Sequence, residues 1–149
     1  PGPDDLEPVV LGYFKQAPSI SALDYEAARQ SVQRLGFTMN TFMQDIDVLL
    51  MPMAPRAPWK VDDVTLVMPT EEFYRKAVGY SDFSAIFNAT GQPAMTLPLH
   101  ENAAGIPVGT HFAARYGDEK TLIRLAAQIE RATPWERRVS PMLAQAMKA

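Results

Sequence analysis

Two histidines, His100 and His111, are the side chains in this sequence that titrate near neutrality when unperturbed. With six serines and five lysines they make up the candidates for a nucleophile and its base. No arrangement among them is persuasive. None of Ser19, Ser21, Ser31, Ser81, Ser84 and Ser140 lies in a Gly-x-Ser-x-Gly turn. Ser19, Ser21, Ser81 and Ser140 stand where helices begin, and capping accounts for them. Lys15, Lys60, Lys76, Lys120 and Lys148 have no serine motif beside them. His111 sits between the small residues Gly109 and Ala113, which fits a hydrogen-bonded core histidine under a closely packed helix. His100 begins a connection and reads as solvated. No Asp or Glu accompanies either at ligand spacing, so no metal site is indicated. Asp62–Asp63 and Glu71–Glu72 read as solvated surface, and Met51 and Met53 as core. The eight glycines are dispersed, without a phosphate-binding loop, and no cofactor is implied. Asn88 and Thr90 are polar groups before a strand, with helix C-capping the simpler explanation.

The elements that would position these residues begin with a lead-in over residues 1–18, read as extended with about one helical turn around "VVLGYF". The core is expected over 19–149. Tyr25, Ala28, Val32, Leu35, Met39, Phe42, Met43 and Ile46 recur at helical spacing, and Ser21 is placed to cap that helix. Gly36 costs about 1 kcal/mol within it. "DVLLMPM" has the continuous apolar character of a strand covered on both faces, as in parallel sheets. A proline-rich loop follows. "TEEFYRKAVGY" reads as a short helix capped by Thr70. "SDFSAIFNATG" reads as another, capped by Ser81 or Asp82, with Phe83, Ile86 and Phe87 inward and Gly91 suited to a left-handed end.

In "PAMTLPL" the residues Met95, Leu97 and Leu99 alternate with Ala94, Thr96 and Pro98. In "IPVGTHFAAR", Ile106, Val108, Phe112 and Ala114 point opposite to Gly109, His111 and Ala113. These two strands are expected to pair antiparallel. "RYGD" turns the chain into a helix capped by Asp118, striped by Leu122, Leu125, Ala126 and Ile129 and stopped by Pro134. "SPMLAQAMKA" offers a short final helix. The order specifies an α/β fold, a mixed sheet flanked by helices.

The totals narrow the function further. The 149 residues are 47% apolar and 21% charged with a net charge of -3, and the basic residues form no face. A nucleic-acid footprint is therefore absent. The longest apolar run is too short to span a bilayer, and no secretory leader is visible. The absence of cysteine excludes disulfides and thiol catalysis and fits a reducing, cytoplasmic setting. A start at Pro1 rather than Met leads us to expect an excised or processed piece.

The stretch "FNATGQPAMTLPL…GIPVGTHFAARYGDEKTLIRLAAQIE…PW" resembles the C-terminal signature of the amidase-signature family of serine amidohydrolases. The positions that carry the resemblance are Asn88, Gly91, Pro93, Pro98, Gly105, Pro107, Gly109, Gly117 and Asp118. Upstream, "APSISALDYEAARQ" and "DVLLMPMAP" are similar to the family's long helix and following strand, so the likeness runs from Pro8 to Trp135. It implies a large mixed sheet wrapped by helices in a much longer chain, of which this is the C-terminal part. It also implies amide hydrolysis by a nucleophilic serine, a second serine and a lysine base. This sequence has no Gly/Ser-rich run and no Ser-Ser pair, so none of those roles transfers to its residues. What transfers is one apolar wall of the acyl pocket, at Phe83, Ile86, Phe87 and Asn88. The acidic residue that greets the substrate in the amidotransferase branch has no counterpart in register, Asp82 being nearby but displaced. The implied partners are a small-molecule amide and the N-terminal part of the same enzyme. The alternative is a non-catalytic binding or assembly module on the same scaffold, self-associating through an open strand edge.

Overall fold

The computed structural model describes Gly2 and residues 5–135. Its elements are α1 (Pro8–Gln16) with a 3-10 turn at Ala17–Ser19, α2 (Ala22–Phe42), β1 (Val48–Pro52), α3 (Thr70–Ala77), α4 (Ala85–Thr90), β2 (Ala94–Glu101), β3 (Pro107–Ala114) and α5 (Glu119–Ala132). The final helix expected over "SPMLAQAMKA" lies outside the described residues.

Local signals set most boundaries. Ser21 begins α2 through a reciprocal pair of bonds. Its hydroxyl accepts from the Asp24 N–H at 3.1 Å, and the Asp24 carboxylate accepts from the Ser21 N–H at 3.1 Å. Asp118 starts α5 by accepting from the Thr121 N–H and hydroxyl. Gly91 ends α4 in the left-handed conformation, φ 81°, which a side chain would resist.

The lead-in is helical rather than extended. Pro8 occupies the first turn of α1, where its missing N–H is no loss. Val9 is buried and its N–H donates to Leu66 O. Thr70 differs from expectation for the same reason. It is the first residue of α3, preceded by Pro69 at the cap, and its hydroxyl donates to Pro8 O at 3.0 Å. It joins α1 to α3 instead of capping its own helix. Tyr13 of α1 also meets Tyr74 of α3 edge-on, with centroids 5.4 Å apart. Ser81 and Asp82 lie in the turns ahead of α4, whose N-cap is Ser84.

The three described strands form one antiparallel sheet in the order β1-β3-β2. The α/β class holds, while β1 departs from the parallel, doubly covered strand its composition suggested. It is an edge strand paired antiparallel to β3, and Leu50 is 62% exposed. β2 and β3 pair as expected, with a register irregularity between Leu97 and His100.

The central strand β3 is covered on both faces over residues 111–114, all of them buried. On one face Phe112 and Ala114 join Leu97 and the α5 residue Leu122. Leu125, Ala126, Ile129 and Trp135 pack around them. On the other face the Phe87 ring of α4 lies 5.5 Å from the His111 ring.

Candidate functional site

A concavity lies at the carboxyl end of β1, beside the start of the antiparallel strand β3. It has a volume of about 620 Å³, within the range of small-molecule sites. Its walls come from Pro52 and the proline-rich loop after it, from Tyr80 and Phe83 ahead of α4, and from Pro107–Gly109 at the start of β3. The prolines fix much of that loop's backbone. Gly109 is obligatory for space. A Cβ there would come within 2.7 Å of Thr96 Cγ2 and 3.0 Å of Met53 Cβ.

The four residues expected to form an apolar wall separate on folding. Phe83 lines the cavity. Ile86 is half-buried, Phe87 is buried beneath His111, and Asn88 is exposed. The segment ahead of α4 thus brings Phe83, beside Tyr80, to the cavity, while Phe87 within α4 packs into the core. Thr90 is turned to local bonding, its hydroxyl donating to Ile86 O at 2.8 Å and meeting Gln92 Oε1. The buried Gln92 then donates to Asn40 of α2 at 3.0 Å, tying the start of β2 to two helices.

His111 is a core residue, 5% exposed. Its Nδ1 lies 3.0 Å from the Thr96 hydroxyl, which also donates to Met53 Sδ at 3.0 Å. When that single hydroxyl proton goes to the sulfur, Nδ1 carries the hydrogen and Nε2 is left as a lone pair. Nε2 is buried and has no partner among the described residues. Burial holds the imidazole pKa below its ordinary 6.5, favouring the neutral ring. His100 is exposed near the end of β2, opposite Val108 rather than His111. Among the described residues no group of His, Asp and Glu has the arrangement of a metal site.

A cluster that the sequence does not announce flanks the cavity. Trp59 stacks on Tyr80 with centroids 4.1 Å apart, and the Arg56 guanidinium lies over the Trp59 ring at 5.6 Å. Arg56 also donates to Lys76 O at 3.2 Å. Lys76 itself is engaged, with Nζ 2.9 Å from Glu72 and donating to Asp63 O at 3.2 Å. The available signal was a cation and an aromatic in a proline-rich loop following a strand. The loop has no periodicity from which to read which way they face. Among the described residues no constellation of nucleophile and base is assembled around this cavity, and none of its described lining residues is a serine, lysine or histidine.

The fold is that of a class of hydrolases known from several structures. The structure of 6-aminohexanoate cyclic dimer hydrolase matches with a TM-score of 0.80 at 25% identity, over 89% of this chain and 29% of that one. A glutamyl-tRNA(Gln) amidotransferase component from Thermotoga maritima shares the fold, with a TM-score of 0.66 at 20% identity over 85% of this chain and 26% of its own. In sequence, the AmiC protein of Mycobacterium leprae is 35% identical over 134 residues, 89% of this chain and 28% of that protein. The 6-aminohexanoate-cyclic-dimer hydrolase of Paenarthrobacter ureafaciens is 33% identical over 103 residues, 65% of this chain and 21% of that protein. Residues 9–123 match the Amidase family, and the chain belongs to it, in its amidase-signature form. The chain spans less than a third of the length of these relatives. No helix among the described residues is long and apolar enough to cross a membrane.

Proposed function

We propose that this chain is the C-terminal portion of an amidase that hydrolyses linear carboxylic amides to an acid and an amine or ammonia. Its nucleophile and base reside in polypeptide outside these 149 residues, and the chain alone is inactive. The observation that carries this reading is the conjunction of a family match over residues 9–123 with a sequence that has no Ser-Ser pair and no Gly/Ser-rich run. In this role the chain contributes part of the sheet and one wall of the acyl pocket. Phe83 forms that wall, Ile86 and Phe87 back it, and Asn88 borders it. A lysine acts as a base only where burial or neighbours depress its pKa. Lys76 is instead engaged by Glu72 at 2.9 Å and by Asp63 O at 3.2 Å, with no serine beside it.

The test is turnover of simple aliphatic and aryl amides by the chain alone and by the chain combined with the Gly/Ser-rich half of a family member. Activity is expected only in the combination. Turnover by the chain alone would sink the proposal. The alternative, a non-catalytic assembly module, draws on one observation, the apolar α2 face left open among the described residues. It predicts stable association with no turnover in either case.

A further inference from the structure

The cavity beneath the Arg56–Trp59–Tyr80 cluster has a chemical bias beyond its apolar walls. Among the described residues Arg56 is the one charged residue in its lining, and none of them contributes a carboxylate to it. The other polar side chains are those of Tyr80 and Asn102. Asn102 uses its carbonyl oxygen to accept from the N–H groups of Ala104 at 2.9 Å and Ile106 at 3.0 Å, so its amide N–H₂ is what it has left to offer. The polar complement of the cavity is therefore weighted towards donors.

Arg56 is also preorganised. Its bond to Lys76 O and its position over the Trp59 ring hold the guanidinium at two points, and no ion pair to it is formed among the described residues. A guanidinium offers five N–H donors in a planar fork that matches a carboxylate edge. One bond to a backbone oxygen leaves most of that capacity unused.

We infer that this cavity binds amphiphilic carboxylates, molecules with a short apolar body received by Phe83 and the proline-rich loop and an anionic end received by Arg56. This deepens the amidase reading and rests on it in one respect only. Within that reading the ligand class corresponds to an acyl group bearing a distal carboxylate, or to the acid product. Carboxylate binding itself needs no catalytic residue, so the two readings fail separately.

The experiment titrates 3-phenylpropanoate and 3-phenylpropanamide, which differ in charge and hardly in shape, into the 149-residue chain. Heteronuclear NMR follows the amides of Ala54, Ala57 and Gly109 and the Trp59 indole. The carboxylate is expected to bind about tenfold more tightly than the amide, as a charge-assisted bond replaces a neutral one. Shifts should concentrate at those four reporters. Arg56→Met should bring the carboxylate down to the affinity of the amide and leave the amide unchanged, while Arg56→Lys should retain part of the difference. Equal affinities in the unsubstituted chain would overturn the inference, as would a preference that survives Arg56→Met, shifts centred elsewhere, or no binding of either ligand at millimolar concentration. The amidase reading would still stand or fall on amide turnover by the combined enzyme.

Discussion

Helices α2 and α5 both carry an apolar stripe at helical spacing, yet the two stripes meet opposite fates. In α5 the stripe lies on the sheet. Leu122 is 4% exposed, with Leu125, Ala126 and Ile129 packed about the cluster it shares with Leu97 and Phe112. In α2 no residue of the 21 is buried, Phe37 is 76% exposed, and Tyr25, Val32 and Leu35 are open to solvent. The helix touches α4 instead through its C-terminal half. There Met43, its C-cap, is fully buried, Gly36 faces Thr90, and Asn40 binds Gln92. Periodicity thus specifies a face in both cases, but among the described residues only the α5 face is covered. A capping box and short-range ion pairs such as Arg29–Glu26 give α2 local support, though exposed pairs of that kind contribute little.

The comparison can be broken most directly by truncating one residue from each stripe. Leu122→Ala should lower the unfolding free energy by about 2–4 kcal/mol, from lost burial and the cavity left behind. Phe37→Ala should change it by no more than about 0.5 kcal/mol, as surface substitutions do. Urea titration measures both. A large loss at Phe37 would mean that the α2 face is covered after all, by a second copy for instance. Gly36→Ala sharpens the same contrast. A Cβ at this position would sit 3.7 Å from Thr90 O, an ordinary contact, so the gain in helix propensity should come through as about 0.5–1 kcal/mol of added stability. A net loss would show that α2 and α4 are packed more tightly than this spacing allows.

A gentler dependence on pH is expected from the α4 side of the sheet. Burial holds the folded His111 pKa below 6.5, so the unfolded chain takes up a proton first as the pH falls. The neutral ring's contribution is fully present above about 6.5 and declines as the pH drops from there through the lower, folded value. Unfolding midpoints at about pH 7.5 and about pH 5.5 should therefore differ, with the acidic one lower. His111→Gln, which keeps a polar group near Thr96 without a titrating ring, should reduce the difference. An unchanged gap in that variant would assign the pH dependence to other groups.

Much of the fold was legible where a few neighbouring residues suffice. Ser21 and Asp118 start helices because each side chain reaches an N–H three residues on. Gly91 ends one because no Cβ opposes φ 81°. The alternation in β2 identified Leu97 as inward, and it is buried. The site was legible only in part. Phe83 reaches the cavity, while Phe87 and Asn88, one and two residues beyond Ile86, turn into the core and out to solvent. The cluster of Arg56, Trp59 and Tyr80 was not legible, because an aperiodic loop gives no clue that residue 59 will stack on residue 80.

By itself the sequence determined the caps at Ser21, Asp118 and Gly91, the two stripes and the pairing of β2 with β3, since each depends on residues close along the chain whose conformational preferences act before any distant contact forms. Tertiary structure alone decided that residues 8–16 are helical, that Thr70 bonds Pro8 across 62 positions, that β1 lies antiparallel at an edge, and which stripe is buried. Those outcomes depend on surfaces brought together from far apart, and an apolar residue carries no record of which surface will meet it.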